Sequence, residues 1–484
     1  MSHLRRWLYR IIGILLAVGA GGGMLGAGET RPATPTNVLL IVVDDLNTDL
    51  GAYGHPVVQS PNIDRLARRG VRFDRAHCQY PLCNPSRVSF LSGRRPESTG
   101  VYVLTTPAKT AVPDAVLLPQ WFRNAGYFTA GAGKVFHNRA TNDPAAWDQY
   151  QDSPTEDPEE RAALDARYGG GDGRPSGRAL TTDGASTRDG VNARAILSHL
   201  RSPRSRTSPW FLALGFHKPH LPWTAPARFF ALYPDQALQR SPEPSLRGVP
   251  SIALQTELSG FAAPDSRTEA LRGYYACISF IDSLLGEVLD ELDRQNLWSA
   301  TVVALVSDNG FHLGDHGGLW AKLSAFGAST RVPFILAGPG IPSGQVIADP
   351  VELLDLYPTL AALTGLAAPS GLEGRSLTGS FSLTHRPLDS RSVAASLVYH
   401  YDVPNQTDVP ARTAIGPSWR YTEWDGGRAG REFYWHLDDP GEYHNRTGEA
   451  SFAEQEAQAA AFLRTLPAPR PGPANRPRAL LPQR

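Results

Sequence analysis

One apolar run near the start of the chain constrains the fold more than any other feature. Residues 37–43 read Asn-Val-Leu-Leu-Ile-Val-Val, and the run stops abruptly at Asp44 and Asp45. An apolar, β-branched run without polar alternation is typical of a strand that is buried on both faces of its sheet. Such strands occur in parallel sheets that are covered by helices, so the run predicts an α/β fold.

Other segments extend this prediction to a doubly wound sheet. A second apolar run at 300–306 ends at Ser307-Asp308-Asn309-Gly310, and the segment before it, 272–297, has helical periodicity. A helix followed by a buried strand is the repeating order of such a sheet. We also predict strands at 210–215 and 332–337, and helices at 89–93 and 118–125.

The rest of the chain divides into regions of different composition. We expect a catalytic domain over residues 36–387, in which the Gly-, Arg- and Asp-rich segment 152–190 is an exposed insertion. From residue 388 the sequence becomes aromatic and β-like, which predicts a C-terminal subdomain over 388–466 with a small antiparallel sheet and a final helix at 453–466. The Pro- and Arg-rich tail, 467–484, is expected to be disordered.

The first residues have the order of a secretory signal peptide. Arginines at positions 5, 6 and 10 precede an apolar run at 11–20, and small residues follow from 21 to 28. This order predicts cleavage near Gly28 and export to the periplasm or beyond the cell, with membrane contact only during export. The alternative is an uncleaved anchor, but the apolar run is shorter than the roughly 20 residues that span a bilayer.

The charge balance excludes some partners. Lys and Arg total 47 and Asp and Glu total 47, so the net charge is zero and no basic patch for nucleic acid is expected. With 41% hydrophobic and 19% charged residues, the chain is typical of a globular protein. Its three cysteines are too few for a disulfide framework.

Two polar pairs at strand ends predict a metal site. Asp44 and Asp45 follow the first buried strand, and Asp308 and Asn309 follow the second. Ligands of open α/β sheets bind at the carboxyl edge of the strands, where these side chains would meet. Oxygen ligands favour Ca²⁺, with Mg²⁺ as the second choice, and argue against Zn²⁺. The alternative is that these residues are helix caps or turn formers.

The few lysines give an independent indication of an anion site. Lys109, Lys134, Lys218 and Lys322 are the only lysines among 47 basic residues, and the last three lie in clusters with Gly, His or Trp. A compact ammonium is not interchangeable with a guanidinium at a tight anion site. The alternative is that base composition produced the arginine bias. Histidines that share these clusters favour acid-base and anion-binding roles: His137, His217, His220, His312 and His316.

The most specific motif is Cys83-Asn84-Pro85-Ser86-Arg87, continued as Val-Ser-Phe and Leu-Ser-Gly-Arg-Arg through residue 95. It resembles the signature of type I sulfatases, in which the cysteine is converted to formylglycine. The resemblance covers roughly residues 36–450. It is closest to the iduronate-2-sulfatase-like branch, by Gly-Lys-Val-Phe-His at 133–137, Phe-His-Lys-Pro-His at 216–220 and the run 307–324.

The resemblance implies an alkaline-phosphatase-like α/β sandwich, with a large mostly parallel sheet between helices and a smaller C-terminal antiparallel sheet. It also implies a calcium-dependent sulfatase that acts on sulfated carbohydrates or other sulfate esters and is matured by a formylglycine-generating enzyme. The residues that correspond to calcium ligands are Asp44, Asp45, Asp308 and Asn309, completed by the matured Cys83. Arg87 corresponds to the residue that holds the formylglycine diol, His137 to its acid-base, and Lys134, His217 and Lys322 to the sulfate-binding cations.

Two departures separate the chain from relatives in this branch. Residues 325–329 read Ala-Phe-Gly-Ala-Ser where an acidic residue is common, and Asn309 stands where the human iduronate enzyme has histidine. The first predicts the loss of a substrate contact. Two other functions stay open: a phosphonate- or phosphate-ester hydrolase of the same superfamily, and a catalytically silent glycan-binding protein.

Overall fold

The computed structural model describes residues 36–152, 158–162, 177–239, 243–254, 267–381, 392–402, 405 and 407–471. The predicted signal peptide at 1–28 lies outside these residues, so it stays a prediction. No helix within the described ranges is both long and apolar enough to cross a membrane. From Thr36 onward the described residues belong to one compact unit.

The strands of the described residues are numbered in chain order. They are β1 (Asn37–Asp44), β2 (Val71–His77), β3 (Phe128–Gly133), β4 (Gln149–Gln151), β5 (Gly177–Leu180), β6 (Trp210–Pro219), β7 (Trp223–Pro226), β8 (Thr301–Ser307), β9 (His312–Asp315), β10 (Leu319–Ala321), β11 (Arg331–Ala337), β12 (Gln345–Glu352), β13 (Ala394–Asp402), β14 (Thr407–Ile415), β15 (Trp419–Trp424) and β16 (Gly430–Trp435).

The α-helices are numbered in the same way. They are α1 (Pro61–Arg69), α2 (Cys83–Ser92), α3 (Pro96–Thr99), α4 (Ala108–Ala111), α5 (Leu118–Asn124), α6 (Arg188–Arg201), α7 (Ala227–Phe230), α8 (Arg267–Arg294), α9 (Gly327–Thr330), α10 (Leu356–Thr364) and α11 (Ala453–Thr465).

An eight-stranded sheet has the order β12-β2-β11-β8-β1-β6-β3-β4. The central strand β1 pairs in parallel with β6 and β8, which confirms the strands predicted from the apolar runs. The predicted strand at 332–337 is also present as β11, but it runs antiparallel to both of its neighbours, β8 and β2. The chain between β8 and β11 holds only a two-stranded ribbon and one helical turn. Parallel pairing would need a connection that crosses over the sheet, usually as a longer helix.

The burial of β1 explains its apolar residues 38–43, because every residue of the strand is buried. Leu39, Ile41 and Val43 pack in one core with residues of α6 and α8. Residues 38, 40 and 42 pack in a second core with residues of α2, α5 and α10. Side chains alternate between the faces of a strand, so helices on both faces require apolar residues at every position.

Helix α2 begins earlier than the predicted helix at 89–93. It starts at Cys83 and ends before Gly93, which has a left-handed φ of 69°. Pro85 lies in the first turn, where the missing N–H is not needed. The motif Cys83–Arg87 is therefore the first half of a buried helix, with Cys83 at its N-terminal end.

The C-terminal sheet is antiparallel, with the order β13-β14-β15-β16, and α11 follows it. Both features confirm the sequence prediction. Residues 467–471 differ from it, because the Arg470 N–H donates to the Tyr102 hydroxyl at 3.0 Å and its guanidinium donates to the Ser98 carbonyl at 2.6 Å. The expected disorder of 472–484 lies outside the described residues.

Part of the segment predicted as an exposed insertion belongs to the fold. Strand β5 pairs in parallel with β7. The Thr187 hydroxyl caps α6 by accepting from the Gly190 N–H at 3.2 Å, and Asp189 is 1% exposed. The prediction for 152–190 is therefore wrong from residue 177 onward, since Gly and charged residues there form a turn and a helix cap. Residues 153–157 and 163–176 lie outside the described residues.

Glu352 of β12 forms a buried ion pair with Arg95 and also accepts from the C-terminal sheet, and we expect Glu352→Ala to lower the free energy of unfolding by about 3 kcal/mol. The Arg95 guanidinium donates to both Glu352 oxygens at 2.7 and 2.5 Å, and the Ala395 N–H donates to Glu352 at 2.8 Å. The variant leaves the buried guanidinium of Arg95 unpaired. Urea unfolding measures the change. Asp114→Ala, which removes the exposed partner of Arg94, should leave the unfolding free energy nearly unchanged.

Candidate active site

The carboxyl ends of β1 and β8 bring the two polar pairs together. Val43 pairs with Ser307, so Asp44 and Asp45 leave the sheet beside Asp308. Oxygen atoms of these three carboxylates lie within 4.8 Å of one another. The Asp45 N–H donates to Asp308 Oδ1 at 3.2 Å. Three buried carboxylates at this spacing require cations to offset their repulsion.

Asn309 completes the oxygen donors predicted to bind a metal. Its Nδ2 donates to Asp45 Oδ1 at 2.8 Å, which fixes the orientation of the amide. Its Oδ1 is buried and has no hydrogen-bond partner among the described residues. A buried oxygen of this kind is costly unless a cation or water satisfies it. The donor set therefore fits a hard cation such as Ca²⁺.

Cys83 lies against this group of carboxylates. Its thiol donates to Asp44 Oδ1 at 3.2 Å, and its sulfur accepts from the Lys322 ammonium at 2.8 Å. The residue is 1% exposed. Burial and the charge of Asp44 raise the pKa of the thiol well above its usual range. The N-terminal end of α2 thus presents residue 83 between an anionic and a cationic side chain.

Arg87 lies one helical turn after Cys83, on the same face of α2. Its guanidinium donates to Asp308 Oδ2 at 2.8 Å, and Nη2 lies 3.4 Å from Asp44 Oδ1. It also donates to the carbonyl of Val135 at 3.1 Å. Burial alone would lower the pKa of Arg87, but the two carboxylates raise it above its usual value. Arg87 therefore bridges the two acidic pairs as a permanent cation.

Two lysines supply the remaining positive charge. Lys134, after β3, donates to Asp44, and Lys322, after β10, donates to Asp45. Both are buried, at 7% and 5% exposure. Burial would lower the pKa of each ammonium, but the neighbouring carboxylates outweigh it and raise both pKa values. The lysines are thus held in the charged form beside residue 83.

Histidines and Lys134 line a cavity of about 410 Å³ beside these residues. His217, on β6, donates its backbone N–H to Asp189 at 2.7 Å, and its ring Nδ1 lies 3.7 Å from the same carboxylate. Nδ1 of His137 lies 3.0 Å from the side-chain nitrogen Nδ2 of Asn138. Burial and the Lys134 ammonium lower the pKa of His137 to about 2. The His137 ring is therefore neutral at ordinary pH.

The structure adds Asp189 to the residues named from the sequence, and it places His220, one of the candidate histidines, beside Asp45. Asp189 also accepts from the Lys218 N–H at 3.0 Å, so it fixes the backbone beside His217. His220 Nε2 lies 3.9 Å from Asp45 Oδ2. His220 could be identified from the sequence because it belongs to the Phe-His-Lys-Pro-His motif at 216–220. Asp189 was not identified from the sequence, because the polar sequence around it is typical of a loop.

Other candidates from the lysine and histidine clusters have different partners. His312 and His316 both contact Asp315, the latter at 2.7 Å. The Lys218 ammonium donates to the Pro222 carbonyl at 2.7 Å, and Lys109 donates to the Ala115 carbonyl at 2.8 Å. These contacts hold both ammonium groups and both imidazole rings against partners other than the three carboxylates of the candidate site.

Comparison with known proteins points to one family. The family model described as Sulfatase matches residues 36–366. A sulfatase of Formosa agariphila is 33% identical over 441 residues, which cover 86% of this chain and 84% of that protein. Human iduronate 2-sulfatase is 30% identical over 482 residues, which cover 82% of this chain and 87% of that enzyme.

A solved structure shares the fold. It is described as a complex with its substrate D-glucosamine-2-N,6-O-disulfate, and it matches with a TM-score of 0.72 at 19% identity over 89% of this chain and 97% of that one. The alkaline-phosphatase-like α/β fold implied by the motifs is thereby confirmed, with its mostly parallel large sheet and its smaller antiparallel sheet.

Proposed function

The chain belongs to the sulfatase family and is a sulfuric ester hydrolase, and we propose that it is an exported, calcium-dependent enzyme that desulfates glycans with a formylglycine made from Cys83. The observation that carries this proposal is the position of Cys83 Sγ, 3.2 Å from Asp44 and 2.8 Å from Lys322. Export is supported by the basic, apolar and small-residue order of residues 5–28.

Formylglycine at residue 83 would supply a hydrated aldehyde as the oxygen nucleophile. Arg87 lies one turn further along α2 and would hold this group in place. Sulfate-ester cleavage builds negative charge on the sulfuryl oxygens and the leaving alcohol. Lys134 and Lys322 are preorganised ammonium groups that would stabilise this charge. The neutral ring of His137 would accept a proton during release of sulfate.

Calcium is the proposed metal, held by Asp44, Asp45, Asp308 and Asn309. When bound, the ion would neutralise charge and favour an ionised oxygen nucleophile. Support comes from the all-oxygen donor set and from the buried, unpaired Oδ1 of Asn309. Without the ion, Lys134, Lys322 and Arg87 balance the carboxylates.

A glycan is the proposed substrate class. Iduronate is a sugar acid, and human iduronate 2-sulfatase is similar over most of this chain. The cavity of about 410 Å³ falls in the size range of small-ligand sites, and polar side chains such as His137, His217 and Lys218 line it. Residues 325–329 include no acidic side chain, so this segment offers no carboxylate to the substrate.

Matched esters test this function. The substrates are an aryl sulfate, an aryl phosphate and a phenylphosphonate monoester that share the same leaving group. We expect kcat/KM for the sulfate to exceed that for either phosphorus ester by at least tenfold, or about 1.4 kcal/mol of transition-state stabilisation. Equal or better turnover of the phosphorus esters would contradict the sulfatase proposal. No turnover of any ester, with glycan affinity unchanged in Cys83→Ala, would instead support a silent glycan-binding protein.

A further inference from the structure

The backbone that carries Lys322 is unusual. Lys322 lies between Ala321, with a φ of 92°, and Leu323, with a φ of 65°. Left-handed conformations are unfavourable for residues with a Cβ, and they persist only where the surroundings hold them. The position of the Lys322 ammonium therefore depends on the contacts that fix this short segment.

Several contacts fix the backbone around Leu323. Its N–H donates to the Pro81 carbonyl at 3.2 Å. Its carbonyl oxygen lies 2.6 Å from Nε2 of His400, a residue of β13 in the C-terminal sheet. One residue further on, the Ser324 hydroxyl lies 2.6 Å from His312 Nε2. Among these three hydrogen bonds, the one from His400 comes from the C-terminal sheet.

The ring of His400 is held in a defined orientation. It has 0% exposure, its Nδ1 lies 2.7 Å from the Ile252 carbonyl, and it packs against Trp424 with ring centroids 4.6 Å apart. A carbonyl oxygen only accepts, so a ring nitrogen that bonds to it must carry the hydrogen. Both ring nitrogens face carbonyl oxygens, so each contact needs a hydrogen on its own nitrogen, Nδ1–H toward Ile252 and Nε2–H toward Leu323. A ring with one hydrogen makes only one of the two bonds.

We propose that His400 is a positioning residue for the sulfatase reaction. Its Nε2–H holds the Leu323 carbonyl and thereby keeps the Lys322 ammonium beside Cys83 and Asp45. The inference rests on the proposed role of Lys322 in sulfate-ester hydrolysis. It gives the C-terminal sheet a part in catalysis, because β13 supplies the donor.

Two amide variants of His400 distinguish the contribution of Nδ1 from that of Nε2. Glutamine places its amide nitrogen near the position of Nε2, whereas asparagine places it near Nδ1. His400→Gln can therefore still donate to Leu323, and His400→Asn can donate only toward Ile252. We expect His400→Asn to lower kcat about 10- to 100-fold, since a shift of about 1 Å in a catalytic group has an effect of that size. His400→Gln should stay within about threefold of wild type, because the bond to Leu323 persists.

Stability is measured in parallel. Both variants lose the packing of the imidazole ring against Trp424. If His400 only stabilised the fold, the two variants would therefore have equally lowered melting temperatures and equal kcat values. Tyr399→Phe is the matched control on β13. It removes a hydrogen bond to the Arg470 carbonyl and should leave kcat unchanged. Equal loss of kcat in His400→Gln and His400→Asn would overturn the proposal.

A double-mutant cycle with Lys322→Ala gives the second test. If His400 acts through Lys322, His400→Asn should lower kcat by less than about twofold once Lys322 is already alanine. The same fold-loss in both backgrounds would overturn the proposal for His400. Wild-type kcat in Lys322→Ala alone would instead contradict the role that the proposed function gives to Lys322.

Discussion

Replacing Cys83 with alanine is expected to lower kcat for sulfate-ester hydrolysis by at least about 10⁴-fold, the scale seen when an enzyme loses its nucleophile. The variant removes the only side chain that the proposed mechanism uses to form a covalent bond. Cys83 is buried at the first position of α2, and alanine fits this position without new contacts. The fold should therefore persist, and steady-state kinetics together with circular dichroism will show loss of activity without loss of structure.

Cys78 supplies the matched control. It is also buried and unpaired, and its sulfur lies 3.9 Å from the Ser329 carbonyl. Cys78→Ala removes the same atom from the residue that directly follows β2, and it should leave kcat within a few-fold of wild type. A Cys83→Ala enzyme that keeps more than about one hundredth of wild-type kcat would contradict the nucleophile assignment.

Removal of divalent cations is expected to abolish activity, and Ca²⁺ should restore it. The Asp45→Asn variant should lose about 10³-fold in kcat, or about 4 kcal/mol of transition-state stabilisation, because one charged ligand is lost. Calcium at 100 times its Kd should stabilise the wild-type fold by about 2.7 kcal/mol. The calcium-dependent rise in melting temperature should be much smaller in Asp45→Asn.

Asp355→Asn is the control for this effect. Asp355 is buried and accepts from the Arg375 N–H at 2.8 Å, outside the proposed metal site. Asp355→Asn can have a lower melting temperature than wild type, but Ca²⁺ should raise the melting temperature of both proteins by the same amount. An equal calcium shift in Asp45→Asn, or restoration of activity by Zn²⁺ rather than Ca²⁺, would contradict the proposed metal site.

The sequence was sufficient to predict the centre of the fold. The strand at 37–43 could be recognised because burial on both faces makes residues 38–43 all apolar, and the same holds for residues 302–306 of the run at 300–306. The direction of β11 could not be predicted, because strand pairing depends on the path of the connecting chain and not on the strand itself. The start of α2 at Cys83 was missed, since its first half lacks apolar periodicity.

The candidate site was partly predictable for a related reason. Polar pairs after buried strands must meet at one edge of a parallel sheet, so Asp45 and Asp308 could be paired from their positions alone. Asp189 and His400 act through backbone N–H and carbonyl groups of other segments. Such contacts leave no pattern in the sequence, because any residue can supply the backbone partner.

The mass of the tryptic peptide spanning residues 76–87 tests the central claim most directly. The protein should be made in a host with formylglycine-generating activity, and the peptide contains both Cys78 and Cys83. We predict a mass that corresponds to one thiol replaced by an aldehyde, localised to position 83 by fragmentation. An unmodified Cys83 in a host that matures other sulfatases would remove the nucleophile and contradict the proposed mechanism.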